Sequence, residues 1–561
     1  MKRMMLMGIL ALATLLVAAA CSSDDPTATP TKAPAAAAAP VATATPTPVV
    51  VKRKELLSLA APWNLPFSGH PADNRFNTTH YTHLHQLPVF GVDPWEEGLD
   101  TNYGATTSYE LLPGAKGIVM KIRQGLKFHS GEPITAEDVA FSFALSASEF
   151  AEAQISGGLN KVGLETITVV DDETVRIDFA GALVTFHIEY SPMVNPVYVV
   201  NKSAHSNGDM SQAAFDAYRA APDGFGAYKF VEGMAQEFIA LEAVDGKNAL
   251  FGEALYDRIE FRNIKETGTR VAQLRAGEQD LVSIGRDQIS VVEGAGAKIG
   301  TKKSANMIGL YFFQTFLEGT STATVEVRQA IAHSIDAKLI GDTIFGGVGI
   351  KEWGCTWPPD AEIAGVVNPA YLEACDTPYA YDPEKSKAML KAAGHAPGDL
   401  SVKLVFWGNY PEEAQMAEAM QPMIEAIGIN AEVERIDRAE WGKRRKEETM
   451  MDSILFFGPG GRVSSVSGSG SVYGPKLHLG PRQDAETMAA YDAMTKTATM
   501  EEYGAAVAAF SKLIYDKAYG PGFFAAASIW AIGEGTPEWG LERTNSRGPL
   551  NLLPLVTGLN P

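Results

Sequence analysis

Cysteine is scarce in this chain: Cys21, Cys355 and Cys375 are the only three among 561 residues. No two form a Cys-x-x-Cys pair, so they offer neither a thiolate zinc cage nor a dithiol redox centre. The usual catalytic signatures are also missing. There is no His-Glu-x-x-His, no Gly-x-Ser-x-Gly, no Walker-type phosphate loop, and no Gly-x-Gly-x-x-Gly after a strand. Carboxylates are plentiful, but no spacing singles out an acid and base pair. Positive charge is in short supply, with 47 Lys and Arg against 67 Asp and Glu and a net charge of −20. Such a balance argues against nucleic acid as a partner. Beyond the N-terminus no run reaches the roughly 18 apolar residues that a membrane-spanning helix needs. No internal repeat of fixed period is found.

What the chain does have begins at its N-terminus. Lys2 and Arg3 precede the apolar run Leu6 to Ala20, about fifteen residues and too short to span a bilayer stably. Val17-Ala18-Ala19-Ala20-Cys21 resembles a bacterial lipobox. Residues 1–20 are therefore read as a lipoprotein signal peptide and Cys21 as the lipidated residue; the alternative is an ordinary secretory signal with a chance cysteine. Residues 21–51, rich in Pro, Thr and Ala, cannot bury a core and are read as a disordered tether. An exported chain meets an oxidising environment, so Cys355 and Cys375 are expected to be bridged, worth about 3 kcal/mol in the chain-entropy model. The alternative is two free buried thiols.

The rest of the chain alternates short apolar strands with capped helices, which makes it an α/β protein. Overall, 46% hydrophobic and 20% charged residues suit a soluble globular protein. The run Val119 to Leu145 reads as strand, turn, strand, turn and capped helix: Met120 and Ile122 alternate with Lys121 and Arg123, Gly125 and Gly131 supply turns, and Thr135 with Asp138 opens the helix. Tyr228 to Leu241 and Ile259 to Ile264 read as strands, and Thr269 to Ala276 as a helix stopped by Gly277. In Val325 to Ile340, Val327, Ile331, Ile335 and Leu339 predict one helix with one buried stripe. Asp382, Pro383 and Gly394 mark the cap, first turn and stop of another helix. Val402 to Asn409 reads as a strand, Glu412 to Ile427 as a helix that Pro422 can kink, and Met500 to Gly520 as a late helix.

Val119 to Leu145 closely resembles the segment shared by family 5 extracellular solute-binding proteins of ABC importers, the dipeptide, oligopeptide and nickel binders. Gly224 to Gly233, Arg270 to Val282, Val325 to Ile340 and Tyr381 to Gly394 are similar to further family segments, in the family's order. The resemblance covers Lys52 to about Trp539. It implies a two-lobed periplasmic-binding-protein-like fold (type II, cluster C) with an extra subdomain. Lobe I would take about 52–88, 222–305 and 523–561, the subdomain about 89–221, and lobe II about 306–522. It also implies a monomer without cofactor, held at the outer face of the cytoplasmic membrane or in the periplasm, that hands its ligand to an ABC permease with a separate ATPase.

For the ligand site, aromatic walls point to Trp63, Tyr81, Trp353, Trp357 and Trp407, with Asn409 and Tyr410 at a strand end leading into a helix; core packing is the alternative for each. In peptide-binding relatives, the loop after a strand like Met451 to Phe457 carries an aspartate for the peptide amine. Here the loop reads Gly-Pro-Gly-Gly-Arg-Val, and Arg462 suits a carboxylate or phosphate instead. A shifted loop that brings in Asp452 is the alternative. His80, His83 and His85 have spacing that can hold nickel or zinc, although no carboxylate or cysteine completes a shell and no metal is favoured. The reading is a lipid-anchored importer component that binds peptides or a similar-sized polar solute. The alternatives are a nickel or metal-complex binder of the same family and a secreted hydrolase.

Overall fold

The computed structural model describes residues 53–63, 68–73, 79–94, 99–151, 159–160, 163–192, 195–302, 307–348, 350–355, 377–408, 411–457, 482, 484–543, 550 and 552–559. Three larger sheets organise them. The first has seven strands, in the order Lys298–Lys302, Ser528–Ile532, Leu281–Ile284, Lys54–Ala61, Tyr256–Asn263, Phe238–Ala243 and Tyr228–Met234. Lys54–Ala61 lies parallel to both of its neighbours, and its last five residues are all buried. That is the apolar run expected of a parallel strand covered on both faces.

The second sheet has six strands: Ile350–Glu352, Gly522–Ala526, Met307–Phe312, Ser453–Phe457, Ser401–Phe406 and Asn430–Arg435. Here Ser401–Phe406 is the strand with two parallel partners, and every residue of Met307–Phe312 is buried. The third sheet is antiparallel, with the order Thr106–Leu111, Gly117–Ile122, Thr174–Phe179 and Leu164–Asp171.

The chain changes sheet abruptly. Gly522–Ala526 belongs to the six-stranded sheet and Ser528–Ile532 to the seven-stranded one, so a single residue, Ala527, joins them. Lys298–Lys302 and Met307–Phe312 make a second passage between the same two sheets. The result is a mixed α/β, two-lobed architecture.

Local signals behave as the sequence predicts where they are self-contained. Thr135 and Asp138 form a full capping box at the helix Ala136–Ala147, Gly277 ends Thr267–Ala276 in a left-handed conformation, and Asp382 caps Pro383–Ala392. Pro422 sits inside Pro411–Glu425 without ending it. Three expectations change. Tyr228 to Leu241 is a hairpin, Tyr228–Met234 and Phe238–Ala243, rather than one strand. After Gly125 there is only an isolated bridge, between Lys127 and Pro133. Val325 to Ile340 is two helices, because Ile335 turns extended and Asp336 caps a new start at Ala337. Leu339 therefore leaves the buried stripe and is 48% exposed.

Candidate functional site

The parallel strands of both large sheets point their C-terminal ends at one cavity of about 470 Å³. Pro62 follows Lys54–Ala61, Gly285 and Arg286 follow Leu281–Ile284, Gly408 follows Ser401–Phe406, and Arg435 ends Asn430–Arg435. Residues Ala526 to Ile529, which include the single-residue passage, close one wall. Open α/β sheets place ligands outside the carboxyl ends of their strands, where loops of different strands converge. Here two such sheets share one crevice.

Charged side chains from both sides enter it. Arg286 comes from the seven-stranded sheet and reaches to the other half. Its guanidinium donates to the carbonyl oxygens of Ala527 (2.6 Å) and Val348 (3.4 Å). It sits 3.6 Å from the Glu412 carboxylate and 4.7 Å from the Phe345 ring centroid. Burial lowers its affinity for the proton, and Glu412 opposes that shift. Arg270 is committed internally: it donates to the carbonyls of Ser283, Ile264 and Lys265 and to the Thr267 hydroxyl. Burial brings its pKa down to about 10.

On the six-stranded side, Glu413 is fully buried and accepts from the backbone amides of Trp407 (2.9 Å) and Gly408 (2.7 Å). This carboxylate satisfies amides beyond the strand end and ties them to the helix Pro411–Glu425. Gly408 has φ +72°, and a Cβ there would lie 2.5 Å from Arg435 Nε. The bare glycine lets the guanidinium lie against the strand end.

Among the described residues, the aromatic candidates do not line this cavity. Trp63 and Tyr81 belong to the core around the seven-stranded sheet. Trp353 and Trp407 share a second core cluster, where Trp407 meets Trp441 edge-on at 5.5 Å. Asn409, Tyr410, Trp357, Arg462, Cys21 and Cys375 lie outside the described residues. Asp452 sits at the start of Ser453–Phe457, the end away from the cavity, and accepts from the Ser321 amide at 2.6 Å.

His80, His83 and His85 lie on the helix Thr79–His85, not in a loop. The rings of His80 and His85 are packed against Trp63 and Tyr81. Burial pushes each of these two down to about 3. Among the described residues no group of three or more His, Cys, Asp or Glu is placed to hold a metal ion. Arg286, Arg435, Glu412 and Glu413 were not singled out from the sequence. Arg286 follows the apolar strand Leu281–Ile284, Arg435 ends the largely polar strand Asn430–Arg435, and Glu412 and Glu413 lie in the first turn of a helix, none of which marks a site in the sequence.

A model of the family described as bacterial extracellular solute-binding proteins, family 5 Middle, matches residues 102–465. The chain belongs to family 5. A Brucella ovis protein provisionally named an ABC transporter peptide-binding protein is 24% identical over 337 residues, which is 59% of each chain. Heme-binding protein A of Haemophilus influenzae is 24% identical over 372 residues, 62% of this chain and 64% of that one. Among solved structures, the ABC transporter substrate-binding protein CtaP of Listeria monocytogenes superposes with a TM-score of 0.74 at 19% identity, covering 90% of this chain and 99% of that one. The family is described as one of extracellular solute-binding proteins, and the chain spans about 59% of the length of the Brucella relative. The two curated relatives differ in the ligand their names declare, so the family alone does not choose one.

Proposed function

We propose that this chain is the solute-capturing component of an ABC importer, holding a peptide or a polar solute of similar size between its two lobes. The observation that carries this reading is the cavity between facing strand ends, walled by side chains from both large sheets and by the passage at Ala527. A ligand that contacts both walls favours the closed arrangement by those contacts alone. The loaded form then docks on a membrane permease, and a separate ATPase supplies the energy. The name of the Brucella relative supports peptides as the ligand class.

The proposal extends to the cell envelope. Cys21 carries the lipid, residues 21–51 act as the tether, and the protein works as a monomer at the outer face of the cytoplasmic membrane. In this reading lobe I takes about 52–88, 222–305 and 523–561, the subdomain about 89–221 and lobe II about 306–522; the pairing of Gly522–Ala526 in the six-stranded sheet supports a return to lobe I near Ala527. Cys355, buried and in disulfide form, supports a bridge to Cys375.

Native mass spectrometry of the purified protein, coupled to small-angle scattering before and after ligand removal, tests the reading. Expected are a retained small molecule, released unchanged, and a larger radius of gyration once it is gone. A covalently altered product would point to catalysis. A metal adduct lost on replacing His83 and His85 would point to metal capture.

A further inference from the structure

The walls of the interlobe cavity carry the charge sign opposite to that of the chain. Among the described residues that line it, Lys265, Arg270, Arg286 and Arg435 face Glu266 and Glu412 alone, in a protein whose net charge is −20. An excess of cations at one place on so acidic a chain focuses a positive potential into the crevice.

Donor bookkeeping separates these cations. Arg270 spends its guanidinium on three carbonyls and a hydroxyl, so it contributes charge but few free hydrogens. Arg286 spends one terminal nitrogen on Ala527 and Val348 and presents the other to Glu412, yet its Nε is buried and has no acceptor. A buried guanidinium N–H without an acceptor costs free energy that a ligand oxygen would recover. Arg435 makes no hydrogen bond or ion pair among the described residues and rests over Gly408 with its whole fork unspent. Arg286 belongs to the seven-stranded side and Arg435 to the six-stranded side.

Resting on the solute-binding reading above, we propose that this cavity takes a carboxylate of the ligand between Arg286 and Arg435. A planar guanidinium fork matches the two oxygens of a carboxylate; a cationic group would leave the unspent donors unsatisfied, and a neutral carbonyl would accept from them without the charge-assisted, two-oxygen match. Because the two arginines stand on different sheets, the carboxylate becomes the group that ties the lobes together. Glu412 holds Arg286 in place and, among the described residues, leaves the Arg435 guanidinium without a carboxylate of its own.

The test is calorimetric titration of the full mature chain with matched pairs: trialanine against trialanine amide, and glutarate against glutaramide. At least one acid should bind, with its amide weaker by roughly ten- to a hundredfold, the range of a charge-assisted hydrogen bond. Arg435→Gln, at an exposed position that folding tolerates, should erase the preference for the acid. Arg286→Lys, which keeps the charge and loses the fork, should reduce it. Lys391→Gln, on the helix Pro383–Ala392 outside the cavity, should leave it intact. Acid and amide binding alike, or a preference that survives in Arg435→Gln, overturns the carboxylate site. If a neutral or cationic solute binds and no acid does, the carboxylate site fails while the solute-binding reading stands. If nothing binds at millimolar concentration and nothing co-purifies, both fail.

Discussion

The Glu413 carboxylate lies 2.7 Å from the amide nitrogen of Gly408, and the same oxygen also accepts from Trp407. A side chain in the first turn of the helix Pro411–Glu425 thereby fixes the end of Ser401–Phe406, and with it the ledge on which Arg435 rests. The ledge works only if it has no side chain. Gly408→Ala should cost about 1–2 kcal/mol for the left-handed backbone alone and displace the Arg435 guanidinium. Ligand affinity should fall alongside in a titration. Unchanged affinity in a folded variant would show that the guanidinium position does not matter.

Arg286 and Glu412 are each only 12% exposed at the side chain. Arg286→Ala leaves the Ala527 and Val348 carbonyls and the Glu412 carboxylate without their partner, so it should destabilise by about 1–3 kcal/mol in urea denaturation. Glu412→Gln keeps the size and removes the charge. It should cost less and raise affinity for an acidic ligand, since the competing counter-ion is gone. A fall in that affinity would count against the assigned roles.

Acid should weaken the fold through its buried histidines. Burial holds His80 and His85 at about 3 and His187 at about 4, against 6.5 when free. The unfolded chain therefore binds more protons than the folded one below about pH 6.5, and stability falls as pH drops through that window. Each such group contributes a loss on the order of 2 kcal/mol by pH 5. His80→Asn can still accept from the Leu550 amide that His80 Nδ1 serves at 2.7 Å, and it should flatten the slope. Thermal melting that is flat between pH 7.5 and pH 5 would contradict the burial of these rings.

Arg328 ties three segments together. It donates to the carbonyls of Lys517, Thr322 and Ala323 and lies 4.3 Å from the Tyr519 ring centroid. Arg328→Met removes the donors and strands buried acceptors, so a loss of about 3 kcal/mol or more is expected. Lysine should not rescue it, because one ammonium cannot match the spread of a guanidinium. A melting temperature within a degree or so of the parent would refute this.

The sequence was most legible where a signal needs only its near neighbours. Thr135 and Asp138 cap their helix because both partners lie within one turn. The four-residue spacing from Val327 to Leu339 misled, because periodicity cannot see that Ile335 goes extended and Asp336 begins again. The cavity was harder still. Arg286 and Arg435 are ordinary lone arginines in sequence, and only the meeting of two sheets makes them neighbours of one space. The described aromatic candidates do not line that space: Trp63 and Tyr81 are buried around the seven-stranded sheet, and Trp353 and Trp407 in a cluster that also takes in Ala115, Val184 and Ile188. Hydrophobicity marks both a core and a binding wall, so it could not choose between them.

Ala527 is one peptide unit long as a connection, and its carbonyl is bonded to Arg286. Any swing of one half against the other that turns this unit also reorients the oxygen that Arg286 grips. The pivot and the grip are therefore mechanically one part: whatever immobilises the guanidinium also locks the axle.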